Sequence, residues 1–247
     1  SDRNLLTGRI RSYGDDIAAV VAEDEVTASR ALRLIKVEYE EYPVQIHPRE
    51  SMKGSNPPIH QEKKDNILAH SDYEIGDVDQ GMKEAAVVVK ASYKTPIIQH
   101  CHIENNISYA YMENGRIVVV SSTQIPHIVR RVIGQALGIP WGKVRVIKPY
   151  IGGGFGNKQD VLYEPLNAFL TMAVGGRAVK LELTREETFV NTRTRHSIEY
   201  DLAAGVDEDG HLIAKDMHAY SNQGAYASHG HAIVANGLTA WRLQYGC

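Results

Sequence analysis

The stretch ISYAYMENGRIVVVS, residues 107–121, sets the fold class. Two β-rich runs, Ile107–Met112 and Arg116–Ser121, flank Glu113-Asn114-Gly115. Asn-Gly between two such runs specifies a hairpin, because both residues tolerate positive φ. Downstream the period changes. Ile125, Val129, Val132, Ile133, Ala136 and Leu137 recur at helical spacing, with Pro126 in the first turn and Gly138 and Pro140 as the stop. Val144–Ile147 then reads as a further strand, leading into Gly152-Gly-Gly-Phe-Gly156 and an apolar helical stretch, Val161–Val174. Hairpin, helix and strand in close succession predict a mixed α+β fold.

Toward the N-terminus, Ile17–Val21 is a short apolar run consistent with a buried strand. Asp24 is placed to cap a helix carrying Ala28, Ala31, Leu32 and Ile35 on one face. Val37-Glu-Tyr39 alternates and stops at Tyr42-Pro43. Residues 48–71 turn to Pro, Ser, Asn, Lys and His without apolar periodicity, which reads as a long surface loop. Asp77 with Gln80 opens a short helix through Ala85, and Val87–Tyr93 and Ile97–Ile103 read as strands. Toward the C-terminus, Ser197–Gly205 and Leu212–Tyr220 flank the turn Asp207-Glu-Asp-Gly210.

The 247 residues are 43% hydrophobic and 23% charged, ordinary globular usage that excludes disordered and low-complexity classes. A formal net charge of −3 removes the basic footprint of a nucleic-acid binder, and no apolar run approaches a membrane span. No leader is visible, and two cysteines, Cys101 and Cys247, make no disulfide framework. The expectation is a cytoplasmic protein with reduced thiols.

The densest chemical signal is Gly152-Gly-Gly-Phe-Gly-Asn-Lys158. Four glycines in five positions let a backbone turn sharply and let a ligand approach main-chain N–H groups. A helix N-terminus beyond the loop would add partial positive charge. It is not a P-loop, because Lys158 follows Asn157 and precedes Gln159, nor a dinucleotide fingerprint, because Asn157 occupies the third glycine's place. Gln99-His100-Cys101-His102 on a strand would put both histidines on one face, but with no third ligand at a diagnostic spacing a structural role is favoured over a metal. Glu104 shares that face without adding weight, and His229-Gly-His231 is a weaker case of the same kind. Arg193 and Arg195 would lie together on a solvated sheet face.

Taken in order, Ser122-Thr-Gln124, Gly152-Gly-Gly-Phe-Gly156 with Lys158, Arg195-His196 and Ser221-Asn-Gln-Gly224 resemble the molybdenum hydroxylases of the xanthine dehydrogenase and aldehyde oxidase type. The resemblance runs over almost the whole chain. It implies that residues 1–75 are the end of an α/β hammerhead-like domain with its linker, and that residues 76–247 are the first part of a mixed α+β molybdopterin-binding domain. It implies a molybdopterin cofactor, with the cytosine dinucleotide form known among bacteria, and partners that carry iron–sulfur clusters and FAD. By the same resemblance Gln124 donates its amide toward an oxygen ligand of molybdenum, and Gly153, Gly154, Phe155 and Gly156 line the cofactor. Gln159 stands where the purine-oxidising members carry a glutamate, so it is the substrate-contacting candidate. Ala232–Gly237 holds no counterpart of the family's substrate arginine. The family's glutamate base lies far beyond this length, so no catalytic residue is assigned. The ends, including Leu238–Cys247, look incomplete against the family pattern. The resulting expectation is part of a molybdenum-binding subunit, inactive alone, with the remaining half supplied elsewhere and a small purine, N-heterocycle or aldehyde as substrate. The competing expectation is a non-catalytic binding module.

Overall fold

The computed structural model describes residues 3–243. Three short helices open the chain: α1 (Glu25–Leu32), α2 (Pro48–Ser51) and α3 (Val78–Glu84). Then come β1 (Val87–Lys94), β2 (Ile107–Glu113), β3 (Arg116–Ser121), α4 (Pro126–Leu137) and β4 (Val144–Ile147). The remainder is α5 (Glu164–Ala173), β5 (Val179–Glu182), α6 (Arg185–Asn191), β6 (Ser197–Val206), β7 (Leu212–Asn222) and α7 (Gly230–Leu243). The class is mixed α+β, as the patterning predicts.

Contacts divide the chain into two compact units, each built from two segments: Ser1–Glu40 with Gln99–Arg195, and Glu41–Ile98 with His196–Cys247. The first unit holds a four-stranded sheet in the order β4-β3-β2-β5. Asn114 (φ 49°) and Gly115 (φ 71°) make the expected turn between β2 and β3, which pair antiparallel from Ser108↔Ser121 to Glu113↔Arg116. β3 and β4 are parallel, joined through α4, whose C-cap Gly138 takes the left-handed conformation (φ 65°). Ile117, Val119, Val129, Ile133, Val144, Val161 and Ala168 form its buried cluster. Helix α5 lies on β2 and β3 through polar ties: Asn167 donates to Ser108 Oγ (3.0 Å), Thr171 to the Ala110 carbonyl (3.2 Å), and Ser121 to Glu164 Oε1 (2.9 Å).

The second unit holds a three-stranded antiparallel sheet, β1-β6-β7. Register runs from Val87↔Val206 to Lys94↔Glu199 and from Ser197↔Asn222 to Val206↔Leu212, with a bulge at Gly205/Val206. Asp207 accepts from the N–H groups of Asp209 and His211 in the predicted turn.

Several expected elements differ. Residues 17–22 are irregular; Ala19 and Val21 instead pack on Leu166, Leu170 and Val179, so the apolar run is used in packing without a ladder. Asp24 does cap α1, accepting from Thr27 N–H at 2.8 Å, but the helix ends at Leu32, before Ile35, and none of its residues is buried. Val37–Tyr39 is irregular too, and both apolar side chains are exposed. Residues 48–71 are mostly loop, with only α2 inside. Asp77 accepts from Gln80 N–H, while the Gln80 side chain turns to Glu84, leaving half a capping box. Residues 99–103 are not a strand. Cys101 sits at φ 54°, and Arg185 takes up the carbonyls of His102 (2.8 Å) and Ile103 (2.7 Å) that a ladder would need. Residues 192–194 are likewise irregular, so Arg193 and Arg195 do not share a strand face. Cys247 lies outside the described residues.

Candidate functional site

The site grows from the end of β4. Beyond Ile147 the chain reaches Gly152–Gly156 and closes in a single 3-10 turn, Asn157–Gln159. Gly153 (φ 99°), Phe155 (φ 52°) and Gly156 (φ 97°) all take left-handed backbone. A methyl on Gly154 would stand 2.7 Å from Gln124 Oε1, and one on Gly153 would stand 3.0 Å from His102 Cβ. A side chain on Gly154 would push the Gln124 amide aside, and Gly153 and Gly156 add a conformation that only glycine adopts cheaply. Phe155 is 75% exposed at the loop's tip. The helix expected beyond the loop is α5, which begins at Glu164 rather than Val161, with Pro165 fixing its first turn.

Gln124 and the loop hold each other. Gln124 N–H donates to the Lys158 carbonyl (2.8 Å), and Gly156 N–H donates to Gln124 Oε1 (3.2 Å). An N–H can only donate, so the atom facing it is the amide oxygen, and the Nε2 group is left without a partner among the described residues. The main-chain N–H groups of Gly154 and Phe155 have no described acceptor either. These donors, together with the glycine cradle, suit an electron-rich group that approaches closely and carries acceptor atoms. Donors of this kind serve the acceptor atoms of a pterin-type cofactor and of a phosphate alike.

The loop's far end is buried polar structure. Asn157, fully buried, donates to Gln99 Oε1 (3.2 Å), Thr192 Oγ1 (2.8 Å) and the Arg193 carbonyl (2.7 Å). Lys158, also buried, pairs with Glu104. Gln159 follows directly and is exposed. Burial lowers the His100 imidazole below its ordinary range, against a hydrogen bond that its ring donates to the Arg193 backbone, which raises it. His102 donates from Nδ1 to the Glu104 carbonyl (2.5 Å). No group of three metal-ligating side chains occurs among the described residues.

Gln124, Gly153, Gly154, Phe155 and Gly156 are therefore brought together in one place. Of the other motif pair, His196 and Ser221-Asn-Gln-Gly224 belong to the second unit, where Ser221 Oγ meets His196 Nδ1 at 3.4 Å, while Arg195 closes the first unit's segment. Sequence reading missed the weight of Glu104, Asn157 and Lys158, and missed α6. The capping box of α6, Thr184 with Glu187, was a legible signal. Burial of a Lys and an Asn beside glycines was not.

Comparison with known proteins agrees with this geometry. The chain is 52% identical over 238 residues to the xanthine dehydrogenase molybdenum-binding subunit of Escherichia coli O157:H7, which covers 96% of this chain and 31% of that protein. It is 34% identical over 231 residues to the nicotinate dehydrogenase large molybdopterin subunit of Eubacterium barkeri, covering 93% of this chain and 54% of that one. The solved aldehyde oxidoreductase from Desulfovibrio desulfuricans superposes with a TM-score of 0.81 at 25% identity, over 88% of this chain and 24% of that one. The chain thus spans about a third of the xanthine dehydrogenase subunit it matches. Residues 1–43 match the a/b hammerhead domain of aldehyde oxidase and xanthine dehydrogenase. Residues 59–247, most of the chain and all of the glycine loop, match the molybdopterin cofactor-binding domain, and it is to this family that the protein belongs.

Proposed function

We propose that this chain supplies part of the cradle for a molybdenum–pterin cofactor in a hydroxylase of the xanthine dehydrogenase type. The observation that carries the reading is the amide of Gln124: its oxygen is committed to Gly156 N–H, which leaves its Nε2 group free beside three glycines and Phe155. In this reading Gln124, Gly153, Gly154, Phe155 and Gly156 hold the cofactor. Gln124 serves because an amide donates without titrating. When bound, such a group supplies the oxidative chemistry, insertion of water-derived oxygen into a C–H bond, while the protein supplies orientation and hydrogen bonds. Exposed Gln159 contacts the substrate, a purine, another N-heterocycle or an aldehyde, by hydrogen bonding without charge.

Residues 1–75 correspond to the end of the hammerhead-like domain with its linker, and residues 76–247 to the first part of the cofactor domain. The remaining part of the molybdenum subunit, an iron–sulfur subunit and an FAD subunit complete the enzyme; the chain by itself is inactive. The cytosine dinucleotide form of the cofactor is included in this proposal.

The test is elemental. The chain is purified from a host that makes the cofactor, with and without the companion subunits, and molybdenum is measured per chain. Molybdenum in the complex that falls in Gln124→Met, with no xanthine or aldehyde oxidation by the lone chain on a dye acceptor, is the expected result. A lone chain that turns over substrate, or a complex whose molybdenum content ignores Gln124→Met, overturns the reading.

A further inference from the structure

The two ends of the glycine loop converge on one carboxylate oxygen. Glu104 Oε2 accepts from Gly152 N–H at 2.9 Å, where the loop begins, and from Lys158 Nζ at 2.5 Å, where it ends. Glu104 N–H also donates to the Gly152 carbonyl (3.2 Å), so the entrance of the loop is held by both main chain and side chain of one residue. The Lys158 side chain is 1% exposed and the Glu104 side chain 30%. The only other described partner of that ammonium is Ser122 Oγ, at 3.3 Å.

A buried lysine that stays charged needs a partner such as a carboxylate close by, and the pair restrains the segment that carries it. Here that segment matters, because the Lys158 carbonyl receives Gln124 N–H (2.8 Å) and Gln124 in turn receives Gly156 N–H (3.2 Å). Glu104 thus acts on Gln124 and Phe155 through Lys158 and Gly152, touching neither of them.

We infer that Glu104 is the positioning residue of the glycine loop: its ionised carboxylate clasps Gly152 and Lys158 together and presets Phe155 and the Gln124 amide in the chain before any cofactor arrives. What the loop is preset for rests on the function proposed above; the clasp itself does not.

The experiment is hydrogen exchange on the full-length, cofactor-free chain, read at the amides of Gly152 and Gly156, with the β2–β3 hairpin amides as internal control. Glu104→Gln keeps shape and removes charge. It is expected to speed exchange at both loop amides by about tenfold to a hundredfold, the equivalent of one charge-assisted hydrogen bond, and to leave the hairpin unchanged. Glu104→Asp restores the charge at shorter reach and is expected to recover part of the protection, which a merely space-filling role would not produce.

Gly152→Ala is an independent route. Gly152 is exposed and outside the left-handed region, and an added methyl would stand 2.6 Å from Glu104 Cβ, wedging the clasp open. It is expected to loosen the Gly156 amide as Glu104→Gln does, with no further loss in the double variant, and it carries the test if Glu104→Gln does not fold. Loop amides that keep wild-type exchange in these variants overturn the inference. A loosened loop in a chain whose complex holds no molybdenum removes the proposed function and leaves the clasp; an unchanged loop in a molybdenum-binding complex does the reverse.

Discussion

The two sheets of this protein are stabilised in opposite ways. In the first unit, β3 is only six residues long, yet Val118 and Val119, which face opposite sides, are both fully buried. In the second unit β6 and β7 run to ten and eleven residues in near-unbroken register, but their side chains are mostly half-buried and β1 is largely exposed. Val89, in the middle of β1, is 62% exposed. Polar residues divide the same way. The first unit buries them, Asn157 and Lys158 to hold the loop and Glu164 and Asn167 to tie α5 to the sheet. The second unit keeps them at the surface to hold register, with Arg49 bridging Glu199 (3.0 Å) and Asp201 (2.7 Å) and stacking on Tyr220, and Lys94 also reaching Glu199 (3.0 Å). Ladder length and core formation are therefore separate properties, and the glycine loop belongs to the unit with the denser core.

Truncating the first core should have the largest effect. Ile133→Ala removes a fully buried side chain between α4 and the sheet, and is expected to cost about 3–4 kcal/mol in urea unfolding. A loss below about 1 kcal/mol would mean that this unit is not the densely packed one.

Acid and base should then act on the two units in opposite directions. Burial pushes the Glu164 carboxyl above its ordinary range, against hydrogen bonds from its own N–H, from Ser121 and from Leu162. A raised folded value means that its contribution is present below the ordinary carboxylate range and is lost as pH rises through the folded value. The Ser92 hydroxyl and Arg49 hold Asp201 below its ordinary range, and Lys94 and Arg49 do the same for Glu199, with burial opposing in both. Their contribution is present above the ordinary range and is lost as pH falls through the depressed values. Glu164→Gln is expected to flatten the alkaline loss of stability and leave the acid loss in place. Denaturant midpoints measured from about pH 2 to pH 9 check both limbs, and an unchanged alkaline limb removes Glu164 from this account.

The smallest effect is expected on the open strand. Val89→Ala should change stability by no more than about 0.5 kcal/mol, because little apolar area leaves water there on folding. A cost near that of Ile133→Ala would show that β1 is covered in solution and would collapse the contrast between the units.

The elements that were legible in sequence are those whose signals are local. The Asn114-Gly115 turn, the Gly138 cap and the Asp207 turn need only neighbours within a few residues, and each stands where its residue types place it. Ile17–Val21 and Ile97–Ile103 carry β-type residues, but a strand needs a partner, and in the second segment Arg185 from α6 takes the acceptors first. Of the candidate site, the glycine run stood out in the sequence by its density, and Gln124 entered only through the family order of the motifs. Glu104 was not legible. Its significance lies in two contacts across 48 and 54 residues of chain, which periodicity cannot report.

The sequence by itself determined the α+β class, the hairpin–helix–strand series, the glycine loop and the family, all of which follow from φ preferences, short-range capping and motif order. Only the tertiary structure decided which face of the Gln124 amide is free, that the loop ends in a 3-10 turn, and that its entrance and the buried Lys158 at its end meet on Glu104. Those are set by hydrogen-bond geometry and desolvation between residues distant in the chain, and neither exists until the chain has folded.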